Sequence, residues 1–167
     1  MSRLRRLQLT ERIFFITCNV LRRRRNFEDC DFEALASAMD TVCARRGFRL
    51  AGYTLMPDHW HALIVPARGD SIDRTMNAVK VAAAHGINRL RGTSGSLWHL
   101  RYFDRVMRTV REFHETIDYM HLNPVRAGLV RDPGKWAWSS FHCFGGPGPI
   151  RLQVDDLNLP SDEKTYL

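Results

Sequence analysis

Four cysteines in 167 residues, at Cys18, Cys30, Cys43 and Cys143, form no CxxC pair and lie far apart. That spacing excludes a zinc ribbon and a dense disulfide framework, and leaves reduced, mostly buried thiols as the expectation. Long apolar runs are absent as well: Ile13 to Ile16 is far too short for a signal segment or a membrane span, so no membrane partner and a cytoplasmic location are expected. No GxxxxGK[ST] string occurs, so no nucleotide cofactor is expected. No internal repeat or low-complexity tract interrupts the chain. Acidic residues are in deficit, with 18 Asp and Glu against 25 Lys and Arg, for a net charge of +7. A surplus of that sign favours a polyanionic partner over an acidic small substrate, without separating DNA from RNA.

What is present suits one globular domain with its own core, since 44% of the residues are hydrophobic. Ile13 to Val20 is rich in β-branched and aromatic residues and reads as a strand closed by Arg22 to Arg25. Phe32, Leu35, Ala36, Met39, Val42 and Cys43 have helical spacing, giving a helix over Phe32 to Arg46 stopped by Gly47. Phe48 to Leu55 and His59 to Val65 read as a hairpin around Met56, Pro57 and Asp58. A second helix is expected over Ile72 to Leu90 with Ser71 as N-cap, then a fourth strand over Leu97 to Met107. A third helix over Arg111 to Leu122 should end at Asn123-Pro124, because proline pushes the residue before it out of the helical region. The order βαββαβ plus a helix predicts an α+β ferredoxin-like sandwich with an antiparallel sheet and a C-terminal helix carrying Tyr119. The domain is expected over residues 1–144. Residues 145–167, which open with Gly145, Gly146, Pro147, Gly148 and Pro149, are expected to leave the core as a flexible arm.

His59 and His61 flank Trp60 in a strand, so both imidazoles share one face of the sheet, about 7 Å apart at Cα. Two neutral imidazoles so placed can converge on a divalent ion, and the pair fits equally well as polar residues on a solvated face. A histidine-triad hydrolase would want histidine at position 63, which is Leu63, and a barrel metallohydrolase would need about 250 residues. Tyr119 and Asn123 are four apart and share a helix face. Taken singly, they read as a core aromatic and a helix stop. Taken together, two histidines and an amide oxygen make a three-ligand site suited to Mg²⁺ or Mn²⁺, with positions left for a phosphate oxygen. A tyrosine beside such an ion is a natural nucleophile, and His121 and Glu115 are candidates to accept its proton by closeness in sequence. Lys80, Arg89, Arg105 and Arg126, interleaved with Trp98, Tyr102 and Phe103, are the residue types that neutralise phosphates and stack on bases.

Two strings carry a resemblance: Leu55-Met56-Pro57-Asp58-His59-Trp60-His61 and Tyr119-Met120-His121-Leu122-Asn123-Pro124-Val125-Arg126-Ala127-Gly128-Leu129-Val130. Lys80 with Ile87-Asn88-Arg89, Leu97-Trp98, Phe103-Asp104-Arg105-Val106 and Trp138-Ser139-Ser140 reinforce it. Together they resemble the REP-associated tyrosine transposases, single-tyrosine members of the His-hydrophobic-His group, over about residues 1–142. The resemblance implies metal ligation by His59, His61 and Asn123, with Asn123 where related transposases use glutamine. It implies nucleophilic attack by Tyr119 and cleavage and rejoining of single-stranded DNA at REP-type hairpins through a 5′-phosphotyrosine. A bacterial, nucleoid-associated setting goes with that role. Trp60 is bulkier than the aliphatic residue usual between the histidines. A site completed within one chain is favoured over one shared between two subunits, and both arrangements stay open. The competing reading is a non-catalytic nucleic-acid-binding regulator, either RRM-like or a domesticated transposase, although no RNP1-like aromatic string is present.

Overall fold

The computed structural model describes residues 12–159. The basic residues Arg3, Arg5 and Arg6 and the last eight residues of the expected arm lie outside them. The chain runs β1 (Phe14–Asn19), α1 (Asp29–Arg46), β2 (Arg49–Leu55), β3 (His59–Val65), α2 (Ile72–Arg91), β4 (Phe103–Val106) and α3 (Val110–Arg126), then two short 3-10 turns, Pro133–Lys135 and Ser140–Phe144. The four strands lie in the order β2-β3-β1-β4, every neighbouring pair antiparallel. This is the ferredoxin-like arrangement expected from the element order.

Local chemistry fixes the helix ends. Asp31 accepts from the backbone N–H of Glu28 at 2.9 Å while Glu28 caps the first turn in return, so α1 begins at Asp29, three residues earlier than the apolar spacing indicates. Gly47, at φ 71°, supplies the left-handed stop. Ser71 Oγ accepts from the N–H of Arg74 at 3.2 Å, as expected of the N-cap of α2.

Period two along the strands divides the side chains between two cores. Ile16, Cys18, Trp60, Ala62 and Ile64 face α1 and α2, against Leu35 and Met39 of the first helix and Met76, Val79 and Ala83 of the second. The other face carries Phe15, Ala51, Leu63 and Val65, and α3 covers it with Phe113, Ile117 and Met120, each contributing roughly 1.5–3 kcal/mol by burial. Gly52 lets the helix come this close: a Cβ there would lie 2.6 Å from Cδ1 of Ile117 and 3.1 Å from Cε of Met120.

Three sequence expectations need correction. The fourth strand is only Phe103–Val106, because Leu97 to Tyr102 is held by loop contacts, among them a bridge of Trp98 to Val20 and a bond from the N–H of His99 to the carbonyl of Asn19 at 2.9 Å. Helix α3 does not stop at Leu122 but continues through Asn123 and Pro124 to Arg126. The carbonyl of Met120, deprived of the Pro124 N–H, takes the hydroxyl of Thr54 on β2 at 2.9 Å instead, so the proline is accommodated without an orphaned acceptor. Finally, the described part of the tail does not leave the core. Leu152 is buried and its N–H meets the hydroxyl of Tyr53 at 3.1 Å; the N–H of Asp155 donates to the carbonyl of Leu50 at 2.7 Å, and Asp155 Oδ2 accepts from the N–H of Leu50 at 2.8 Å. Leu157 and Leu159 pack against the α3 core. These apolar anchors outweigh the chain-breaking glycines and prolines before them.

Candidate active site

The antiparallel register pairs Thr17 with His61 and Asn19 with His59, so both histidines stand on the face that α3 covers. Trp60 points the other way and is fully buried beside Trp98, ring centroids 6.4 Å apart, so its bulk fills the first core and leaves the histidine face untouched.

His61 is 3% exposed, stacks on Phe15 at 5.3 Å between centroids, and is hydrogen-bonded at both nitrogens. Asn123 Nδ2 donates to Nε2 at 2.7 Å, so Nδ1 carries the hydrogen and donates to Thr17 Oγ1 at 2.9 Å. Burial first, and the neighbouring His59 second, push its pKa down to about 4, which keeps the ring neutral at physiological pH. His59 lies 4.8 Å away between ring centroids and has Nδ1 2.6 Å from Asp58 Oδ1.

This donor set fits a divalent ion. Each imidazole has Nδ1 engaged by an oxygen partner, which fixes the ring and leaves Nε2 as the nitrogen for ligation. Rotation of the Asn123 amide by 180° brings Oδ1 to where Nδ2 now stands, with no change of shape. Among the described residues no group of three or more His, Cys, Asp or Glu converges, so the set rests on two imidazoles and one amide oxygen.

Tyr119, on the same face of α3 as Asn123, brings its ring 5.6 Å from that of His61 and 6.2 Å from that of Phe15. It is 41% exposed, and the guanidinium of Arg126 sits 5.5 Å from its ring centroid. The sequence pairs His59/His61 and Tyr119/Asn123, far apart in the chain, therefore meet. The two expected proton acceptors do not join them. His121 is buried, with Nε2 2.9 Å from Ser140 Oγ and its ring against Phe141 and Phe144, and Glu115 accepts from Arg111 at 2.8 Å.

The four expected DNA-contacting cations divide between the layers. Arg126 and Arg105 stand on the Tyr119 side, Arg105 paired in register with Phe15. Lys80 and Arg89 belong to α2 on the opposite face, and the Lys80 ammonium is spent on the carbonyls of His99 and Leu100 at 2.9 and 3.1 Å. Sequence reading missed Thr17, Phe15 and Thr54, whose parts depend on strand register. Asp58 could have been found, since it precedes His59 directly.

Comparison with known proteins bears on the fold and the family. The chain is 24% identical over 167 residues, 98% of each protein, to the REP-associated tyrosine transposase of Escherichia coli (strain K12). Its fold matches the structure of a REP-associated tyrosine transposase bound to a REP hairpin with a TM-score of 0.71 at 24% identity, over 95% of this chain and 96% of that one. A crystal structure from Deinococcus radiodurans R1 matches with a TM-score of 0.52 at 18% identity, over 71% of this chain and 95% of that one. The sequence family described as Transposase IS200 like matches residues 11–122, more than half of the chain, and the protein therefore belongs to the IS200-like transposases.

Proposed function

We propose that this transposase cuts and rejoins single-stranded DNA at REP-type hairpins through a 5′-phosphotyrosine formed on Tyr119. The observation that carries the reading is the meeting of Tyr119 with His61 and Asn123 on one face of the sheet, within a single chain. The REP hairpin in the structural neighbour supports the substrate class, and the net charge of +7 supports a polyanion.

His59 and His61 through Nε2, and Asn123 through Oδ1, would hold a divalent ion, Mg²⁺ or Mn²⁺, which when bound polarises the scissile phosphate and orients it. Two nitrogen donors among the ligands favour Mn²⁺. Thr17 and Asp58 keep the imidazoles aimed. The Tyr119 oxygen attacks phosphorus in line, and the bond to the 3′ oxygen breaks. The phenol proton leaves to water at the exposed side, and the departing 3′ oxygen gains a proton to become a hydroxyl. Arg126, over the ring, stabilises the phenolate as it develops. The phosphodiester's energy stays in the tyrosyl ester, so attack by another 3′-hydroxyl reverses the step and joins strands without a nucleotide cofactor.

The test is incubation of a labelled hairpin substrate with Mn²⁺ or Mg²⁺, followed by a denaturing gel. A covalent adduct is expected from the wild type and none from Tyr119→Phe. Adduct from Tyr119→Phe would overturn the assignment of the nucleophile, and normal cutting by the double variant His59→Ala, His61→Ala would overturn that of the ligands. Binding without cleavage by the wild type under all metal conditions would favour the regulatory reading.

A further inference from the structure

We propose that Phe103 is a stacking platform for the unpaired base next to the phosphodiester that Tyr119 attacks, with Arg105 neutralising the adjoining phosphate. The inference rests on the function proposed above and names the part of the substrate that this corner of the site holds.

Phe103 opens β4 and is 55% exposed. Its register partner is Thr17, whose hydroxyl touches His61, so the Phe103 ring stands on the histidine face. There it meets Phe15 edge-on at 6.4 Å, and Phe15 in turn stacks on His61 and meets Tyr119 at 6.2 Å. One aromatic chain thus runs from the nucleophile to the open border of the sheet, and Phe103 is its uncovered end.

The backbone that carries the ring is also held in place. Lys80 binds the carbonyls of His99 and Leu100, Trp98 Nε1 donates to the carbonyl of Lys80 at 2.9 Å, and the hydroxyl of Tyr102 donates to Asp73. The backbone leading into Phe103 is therefore pinned to α2, and little ordering remains to be done when a base arrives. Arg105 follows two residues later on the same face, about 7 Å along the strand. Its Nη2 reaches Thr116 Oγ1 at 3.4 Å, a neutral partner, and among the described residues no carboxylate pairs with it. An exposed aromatic face beside a guanidinium is the pairing that takes one nucleotide of single-stranded DNA, base on ring and phosphate on cation.

The test uses the non-cleaving Tyr119→Phe protein and hairpin oligonucleotides with 2-aminopurine placed in turn at each unpaired position near the cut. Quenching is expected at the position flanking the scissile phosphate. Adding Phe103→Leu, which keeps an apolar side chain on β4, should restore that fluorescence and weaken binding roughly 5- to 100-fold, whereas Phe103→Trp keeps both. Quenching and affinity unchanged by Phe103→Leu would overturn the platform while leaving the proposed function standing. Failure of the Tyr119→Phe parent to bind any hairpin would overturn both.

Discussion

Pro124 withholds an amide hydrogen from the carbonyl of Met120, and Thr54 supplies the replacement at 2.9 Å from the neighbouring strand. The bond lies between Tyr119 and Asn123 on the helix, and Thr54 is the register partner of His61 on the sheet, so a single hydroxyl ties both halves of the site. Thr54→Val keeps the shape and removes the donor, leaving a buried acceptor unmet. A loss of about 1–3 kcal/mol is expected in urea unfolding, with slower adduct formation, and Thr54→Ser should recover much of both. At this scale the sequence was informative where the signal is local. Strand period put His59 and His61 on one face, and i, i+4 spacing joined Tyr119 to Asn123. Thr17 and Thr54 carried no such signal, because each meets its partner on another element more than 40 residues away.

Among the elements, α1 and α2 are pinned by a buried ion pair. Arg91 Nε and Nη2 reach the two carboxylate oxygens of Asp31 at 2.9 and 2.8 Å, and Asp31 is fully buried. The same guanidinium donates to the carbonyls of Arg25 and Asn26 and lies over the ring of Phe27, so it also fixes the end of the basic turn after β1. Arg91→Ala removes the main partner of a buried carboxylate, leaving it the Glu28 N–H and Arg25 at 3.9 Å, and a loss of about 3 kcal/mol is expected from the shift in denaturant midpoint. A loss below 1 kcal/mol would show that water reaches Asp31 readily. Element types and order were legible throughout, since apolar spacing reports them directly. Their ends were less so: the capping exchange between Glu28 and Asp31 moves the start of α1, and the hydroxyl of Thr54 lets α3 run past the asparagine-proline pair that should have ended it.

For the whole molecule, acid is the sensitive side of the stability curve. Burial holds His61 and His121 at about 4, against 6.5 for exposed imidazole, with His59 and His142 as the secondary causes. Between those two values the unfolded chain binds protons that the folded chain refuses, so the two histidines lower stability as pH drops from about 6.5, and their contribution is complete near 4. The full effect is about 3 kcal/mol per histidine. Melting of metal-free protein at pH 7.5 and pH 5 should give a clearly lower Tm at pH 5, and His121→Gln should remove about half of the difference. Equal Tm values would mean that both rings are solvated.

The returning tail has a consequence for what else can lie against this molecule. The outward backbone groups of β2 are met in turn by Asp155 at Leu50, Ser140 at Tyr53 and Trp138 at Leu55. A strand border with its groups satisfied is no template for a foreign strand, so β-addition of a second copy or an aggregating peptide is closed off there. The opposite border is β4, four residues long and joined to Tyr119 through the ring of Phe15. Among the described residues, the margin of the sheet that stays open to an extended chain is thus the one where the proposed chemistry needs it.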